Sequence, residues 1–136
     1  ETAGVAKISD FGASLSVSSS FNANKNSPCC QGTPNYIAPE VLRAKKPEDF
    51  SYNVDIWSLG MTVIEMFTAK MPFKDDFSNA QAMMFKIGRL KAPPSLPTNI
   101  SPVAREFLAQ CLVIDKTKRP GASEMLRHEF VRIGHG

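Results

Sequence analysis

Apolar residues recur at helical spacing in three stretches of the chain. Residues 54–67 are apolar on almost every side of the helix they would form, which is typical of a helix buried in a core. Residues 80–87 follow Asn79, and residues 103–112 follow Ser101-Pro102. Because asparagine and serine are favoured immediately before a helix, the pattern predicts three helices, at 54–67, 80–87 and 103–112.

Shorter elements are predicted around these helices. Pro39 can begin one helical turn that ends at Arg43. Either Ser51 or Asn53 can cap the helix at 54–67. Residues 122–128 predict a last helix. Alternation over residues 5–8 predicts a strand. Residues 13–31, with five serines between 14 and 20, show no period and predict a long surface loop. We therefore expect a mainly α fold with one short N-terminal strand.

Composition fits one modest globular unit, or part of one, because 43% of the 136 residues are hydrophobic and 21% are charged. The net charge of +3 comes from scattered Lys and Arg, so we expect no nucleic-acid partner, and no apolar stretch is long enough to span a membrane. The chain begins with Glu1 and is expected to be a piece of a longer protein.

Cysteine usage favours reduced thiols and a cytoplasmic location. The three cysteines include the adjacent pair Cys29-Cys30, which lacks the spacing of a zinc-ligand pair and does not suggest a disulfide framework. A redox-sensing thiol at Cys29 or Cys30 stays open as an alternative, because both lie in the predicted surface loop, and such a role would require a lowered thiol pKa.

Four short motifs follow one another in the order that protein kinases use. They are Asp10-Phe11-Gly12, the run from Gly32 to Glu40, the run from Asp55 to Gly60, and the run from Asp115 to Pro120. The first tripeptide alone is a weak signal, but four motifs in order are not a coincidence. The chain therefore resembles the helical C-terminal lobe of a eukaryotic serine/threonine protein kinase domain, with residues 1–136 as a partial domain and residues 10–40 as its activation segment.

The resemblance implies that Asp10 holds Mg²⁺ bound to ATP, with Ser9, Phe11 and Gly12 completing the nucleotide-side motif. The alternative is that Asp10 only forms a turn before Gly12. It also implies that Thr33 and Pro34 lie in the loop that docks the substrate beside the phosphoacceptor, with Thr33 assigning serine/threonine specificity. The alternative for Thr33 is a simple turn residue beside Pro34.

Other motif residues are implied to be structural. Glu40 and Arg119 resemble the family's buried ion pair, and Trp57 and Gly60 its packing residues. Asp55 resembles a carboxylate that accepts backbone N–H groups of the catalytic loop, or it is only a carboxylate at a helix N-terminus.

Serines in the loop are candidate phosphorylation sites, since a phosphate can order a loop against basic side chains. The candidates are Ser18, Ser19, Ser20 and Ser27. The alternative is a solvated loop that carries no regulatory phosphate.

Further runs resemble mitogen-activated protein kinase kinase kinases, notably residues 68–73, 82–88 and 93–97. This implies a MAP kinase kinase as substrate and an upstream kinase or regulator as partner. The chain departs from that group at Asn35-Tyr36, where the group usually has Tyr-Trp, at Lys116 and at Glu129, where it usually has Pro.

Residues 1–136 contain no Gly-rich loop, strand lysine or His-Arg-Asp loop, so we expect the isolated polypeptide to be inactive. The leading hypothesis is an active parent kinase. A pseudokinase or scaffold with a kinase fold is the main alternative, and a truncated product that competes with a full kinase is a third.

Overall fold

The computed structural model describes residues 5–11, 14, 33–44, 49, 51–74, 76–77 and 79–132. In these ranges a 3-10 turn at Pro34–Tyr36 and six α-helices succeed one another. The helices are α1 (Pro39–Arg43), α2 (Val54–Thr68), α3 (Ala80–Ile87), α4 (Pro102–Cys111), α5 (Ala122–Met125) and α6 (Glu129–Arg132). The predicted mainly α fold is confirmed. None of the helices described is long and apolar enough to cross a membrane.

Helix α2 lies at the centre of the core. Its buried residues are Ile56, Trp57, Gly60, Met61, Val63 and Ile64. It packs mainly against α4, whose buried side chains include Phe107, Leu108 and Cys111, and against the 3-10 turn. Removing these apolar side chains from water is the main source of stability for such a helix. The prediction of a core helix over this stretch is confirmed.

Side-chain caps begin α3 and α4 as predicted. Asn79 Oδ1 accepts from the backbone N–H of Ala82 at 2.8 Å, and Ser101 Oγ accepts from that of Ala104 at 3.2 Å. Asn53 occupies the N-cap position of α2, but neither its side chain nor that of Ser51 makes the predicted capping hydrogen bond to the described residues. The amide of Asn53 instead donates to the carbonyl of Arg119 at 2.7 Å, across the fold.

Two further predictions are corrected by the structure. Residues 5–8 do not form a strand, and Val5 and Ile8 are 81% and 86% exposed. The reason is that a strand requires a partner for its backbone groups, and the described residues supply none.

The last helix, predicted over residues 122–128, is shorter than expected, because α5 ends at Met125 and a separate helix, α6, begins at Glu129. His128 Nδ1 accepts from the backbone N–H of Phe130 at 3.1 Å, which caps a new helix. This turn brings the Phe130 ring to 4.7 Å from the Phe107 ring, measured between centroids, so apolar packing on α4 favours the break.

Candidate functional site

The C-terminal end of the predicted activation segment is held by a buried ion pair. Arg119 Nη1 lies 2.6 Å from Glu40 Oε1, and Nη2 lies 3.0 Å from Oε2. The Arg119 side chain is 0% exposed and that of Glu40 is 9% exposed. Paired N–H donors from a planar guanidinium match the two oxygens of a carboxylate. The pair therefore joins α1 to the loop before α5, 79 residues further along the chain.

The rest of the Arg119 guanidinium is also satisfied. Its Nε donates to the carbonyl of Val113 and its Nη1 to that of Asn53, each at 2.9 Å. The group also lies over the Trp57 ring, 5.2 Å from the centroid. A buried charge is tolerated when its hydrogen bonds are complete, so this site is a fixed structural centre.

Lys116 makes a second link to the same region. Its Nζ donates to the carbonyl of Asp49, in the connection between α1 and α2. This is one of the positions where the sequence departs from the pattern of related kinases. The lysine therefore contributes a hydrogen bond that proline, which has no side-chain donor, does not offer.

Trp57 and Gly60 are both packing residues in the core. Trp57 is fully buried, and its Nε1 makes no hydrogen bond to the described residues. A Cβ added to Gly60 would lie 2.7 Å from Cys111 Cβ and 3.0 Å from Leu112 Cδ2. The missing side chain therefore lets α2 approach α4 closely. Burial raises the pKa of the Cys111 thiol to about 12, so this cysteine stays protonated and poorly reactive.

The 3-10 turn shapes the predicted substrate loop. Pro34 occupies its first position, and the N–H groups of Tyr36 and Ile37 donate to the carbonyls of Thr33 and Pro34 at 3.3 and 3.1 Å. Thr33 is exposed, and its hydroxyl makes no hydrogen bond to another described residue. The turn thus presents Thr33 at the surface, with its hydroxyl available to a partner.

Three hydrogen bonds from polar side chains connect this turn to α2 and to the segment that follows α2. The amide of buried Asn35 donates to the carbonyl of Pro72, the Tyr36 hydroxyl donates to Glu65 Oε2 at 2.5 Å, and Ser58 Oγ donates to the carbonyl of Tyr36 at 2.9 Å. The hydrogen bond to Glu65 is the main reason that the pKa of Tyr36 rises to about 12.

The sequence pattern does not predict these contacts. Asn35 and Tyr36 stand out in it only as departures from the related kinases. Glu65, a carboxylate within an otherwise apolar helical run, was the remaining signal, because a carboxylate at such a position usually has a polar partner.

Asp10 is at the opposite, exposed end of the predicted activation segment. Its backbone is left-handed, with φ at 62°, a conformation that Asp tolerates better than most residues. Its side chain makes no hydrogen bond or ion pair with another described residue, and neighbouring Ser9 and Phe11 are exposed. A free carboxylate is the kind of oxygen ligand that Mg²⁺ takes together with phosphate groups, so the residue fits that ion.

The remaining candidates are not brought to this site. Asp55 lies exposed in the first turn of α2, without a hydrogen bond from its side chain to the described part of the chain. Its position is compatible with either role considered for it. The following candidates lie outside the described residues: Gly12, Ser18, Ser19, Ser20, Ser27, Cys29 and Cys30.

Comparison with known proteins identifies the class. The model of the protein kinase domain family matches residues 1–131, and the chain belongs to this family. It is 43% identical over 129 residues to mitogen-activated protein kinase kinase kinase 1 of Arabidopsis thaliana, an alignment that covers 95% of this chain and 20% of that protein.

Two further relatives carry the same type of name. Identity is 41% over 133 residues to human mitogen-activated protein kinase kinase kinase 5, covering 96% of this chain and 9% of the relative. The identity to mitogen-activated protein kinase kinase kinase ANP1 of Arabidopsis thaliana is 39% over 132 residues, an alignment that covers 97% of this chain and 19% of that protein. The predicted resemblance to this group is confirmed, and the chain spans a fifth or less of the length of these relatives.

Proposed function

We propose that this chain is the C-terminal-lobe portion of a serine/threonine protein kinase, which transfers the γ-phosphate of ATP to a serine or threonine of a protein. The observation that carries the proposal is the pairing of an exposed Asp10 carboxylate with a fixed substrate segment. That segment runs from Thr33 to Arg43 and is held by the ion pair between Glu40 and Arg119. Family membership supports the same conclusion.

In this proposal Asp10 binds Mg²⁺, with Ser9, Phe11 and Gly12 forming the motif around it. When bound, the ion neutralises negative charge on the transferred phosphate. The residues of this chain then bind and orient. Asp10 supplies an oxygen ligand, and Thr33 and Pro34 orient the substrate beside its acceptor hydroxyl, which is a matter of positioning more than of covalent chemistry.

Residues 1–136 contain no His-Arg-Asp loop and no Gly-rich loop, so the base and the nucleotide lid would come from elsewhere in the protein. We therefore expect no phosphate transfer from the 136-residue polypeptide alone. Asp55, at the start of α2, is proposed to accept backbone N–H groups from that catalytic loop.

The proposed substrate is a MAP kinase kinase, because the relatives are named as kinases of such kinases. An upstream kinase is the proposed regulator, acting on Ser18, Ser19, Ser20 or Ser27. A cytoplasmic location is proposed from the cysteine pattern, and Cys111 is a free, buried thiol. Nucleic-acid binding is not part of the proposed function.

Identifying the residue type that accepts the phosphate tests this proposal directly. The full-length protein that carries this chain is incubated with ATP, Mg²⁺ and a catalytically inactive MAP kinase kinase, and the phosphoamino acids are identified. We expect phosphoserine and phosphothreonine, lower yield with Thr33→Ala, and activity near wild type with Thr33→Ser, which keeps the hydroxyl. Phosphotyrosine as the product would contradict the proposal. Binding of the substrate without transfer would favour the scaffold alternative.

A further inference from the structure

Helix α3 presents an unusual outer face to solvent. We define the α3 outer face as the exposed Phe85 and Lys86 of the helix, together with the half-buried Phe77 before it and the exposed Arg89 after it. Phe85 is 61% exposed, whereas Met83 and Ile87 of the same helix are buried on its inner side. A large exposed aromatic side chain next to two cations is the composition of a contact surface more than of a merely solvated helix.

Each aromatic ring of this face is paired with a cation. The Arg89 guanidinium lies over the Phe85 ring, with Cζ 3.9 Å from the centroid, and Lys86 Nζ lies 5.7 Å from that of Phe77. Neither cation forms an ion pair with a carboxylate in the part of the chain described. Stacking fixes the plane of the Arg89 guanidinium while leaving its N–H donors open to solvent.

The local sequence gives this face a positive charge. Asp75 and Asp76 directly precede Phe77, but residues 77–105 contain no Asp or Glu, and they contain Lys86, Arg89, Lys91 and Arg105. Arg105 is already engaged, because its Nη2 donates to the carbonyls of Pro97 and Thr98 at 3.1 Å each. The positive charge is therefore that of Lys86, Arg89 and Lys91, at the C-terminal end of α3 and just after it, and it would attract a negatively charged partner.

The face is also held in a fixed position relative to the substrate segment. Arg43, at the end of α1, donates to the carbonyls of Gly88 and Leu90, the second at 2.8 Å. A Cβ on Gly88 would lie only 3.3 Å from Leu42 Cβ, so the two helices are in close contact. A docking surface whose backbone is already ordered loses little conformational entropy on binding.

We propose that the α3 outer face docks an acidic segment of a partner protein that carries an aromatic or large apolar side chain. The apolar side chain would contact the exposed Phe85 ring, and carboxylates would accept from Arg89 and Lys86. Nucleic acid is a poorer fit, since phosphate polymers are bound by extended rows of basic residues, and here only a few cations surround one exposed ring.

The probe is a fluorescently labelled random copolymer of glutamate and tyrosine, titrated with the full-length protein and followed by anisotropy. We expect binding that weakens with salt, and weaker binding of polyglutamate, which lacks the ring. Phe85→Ala and Arg89→Glu should each lower affinity at least about tenfold, and Arg89→Lys should lower it less, since it keeps the charge without the planar group.

Arg127→Glu is the matched control, because it makes the same charge change at an exposed arginine in the turn between α5 and α6. It should bind as wild type does. Thermal unfolding of every variant separates lost binding from lost folding, and if Phe85→Ala unfolds, the two Arg89 variants decide. The proposal would be overturned if the wild-type protein did not bind the copolymer. It would also be overturned if Arg89→Glu and Arg127→Glu lowered the affinity equally. Tighter binding of single-stranded RNA or phosphatidylserine vesicles through the same residues would overturn it as well.

Discussion

The two ends of the predicted activation segment are held very differently. At one end Asp10, Ser9 and Phe11 are exposed, and the Asp10 carboxylate bonds to no other described residue. At the other end the Glu40 carboxylate is buried against Arg119. Both ends carry a carboxylate, but only the second has its position determined by contacts with the helical core.

The difference separates a structural role from a chemical one. A carboxylate that is completely hydrogen-bonded in the interior fixes a backbone position and is not free to bind a ligand. An exposed carboxylate has oxygens available to a cation, but its own position must be fixed by the ligand or by other contacts. The helices of this chain therefore order the Glu40 end of the segment, while the Asp10 end depends on additional interactions.

Arg119→Ala is expected to have the largest effect on this contrast. It leaves the buried Glu40 carboxylate without its partner, which typically costs about 3–5 kcal/mol. Deuterium uptake of residues 33–44 in the full-length protein should rise toward that of residues 5–11. The exposed Arg127→Ala serves as the control, and unchanged unfolding free energy and uptake in Arg119→Ala would contradict the account.

Gly60→Ala should perturb the packing of α2 against α4, which supports the Glu40 end of the segment. The new methyl would collide with Cys111 Cβ, since their separation would be 2.7 Å, and overpacking of this kind costs about 1–3 kcal/mol. Gly121→Ala, at the N-cap of α5, is a control for the steric contact alone, because its Cβ would meet only Asn53 Oδ1, at an ordinary 3.7 Å. Denaturant unfolding should show a clearly larger loss for Gly60→Ala, and equal losses would show that close approach of α2 and α4 is unimportant.

Tyr36→Phe should loosen only the turn. It removes the hydrogen bond to Glu65, worth about 1 kcal/mol. The pKa of Tyr36 in the fold is about 12, above its ordinary 10.0, so the contribution of this bond is complete below pH 10 and is lost as pH rises through about 12. The difference in phenolate absorbance between wild type and Tyr36→Phe reports this titration. Glu65→Gln should lower the midpoint, and an unchanged midpoint would refute the assignment.

Ala69→Gly is expected to give the smallest effect, a stabilisation of about 0.5 kcal/mol. Ala69 ends α2 with φ at 52° and ψ at 25°, a left-handed conformation that glycine adopts without steric cost. Ala44→Gly is the control and should destabilise, since Ala44 has φ at −61°. Thermal unfolding measures both, and destabilisation by Ala69→Gly would count against this explanation.

Local features of the fold were predictable from sequence because their causes are local. Asn79 and Ser101 cap the helices that follow them through backbone groups only three residues away. The early end of α5 and the separate helix α6 were not predicted, because they depend on the packing of Phe130 against Phe107. Tertiary contacts of this kind leave no periodic signal.

The site was predictable to the extent that its residues lie in motifs. The position of Glu40 beside Arg119 followed from a resemblance and is present in the structure. The hydrogen bond of Tyr36 to Glu65 joins residues 29 apart at positions where no motif applies, so only the structure could reveal it. The strand at 5–8 failed for a related reason, since alternation indicates a strand only where a partner is present.

Phosphate transfer by an Asp10→Asn variant of the full-length protein tests the central claim most directly. Asparagine preserves the shape of the side chain and removes the charge that would bind Mg²⁺. The account predicts a loss of at least about a hundredfold in transfer to a MAP kinase kinase, with the thermal unfolding temperature unchanged, because the Asp10 carboxylate bonds to no other described residue. If Asp10→Asn transferred phosphate at the wild-type rate, the assignment of Asp10 as the metal-binding carboxylate would be contradicted.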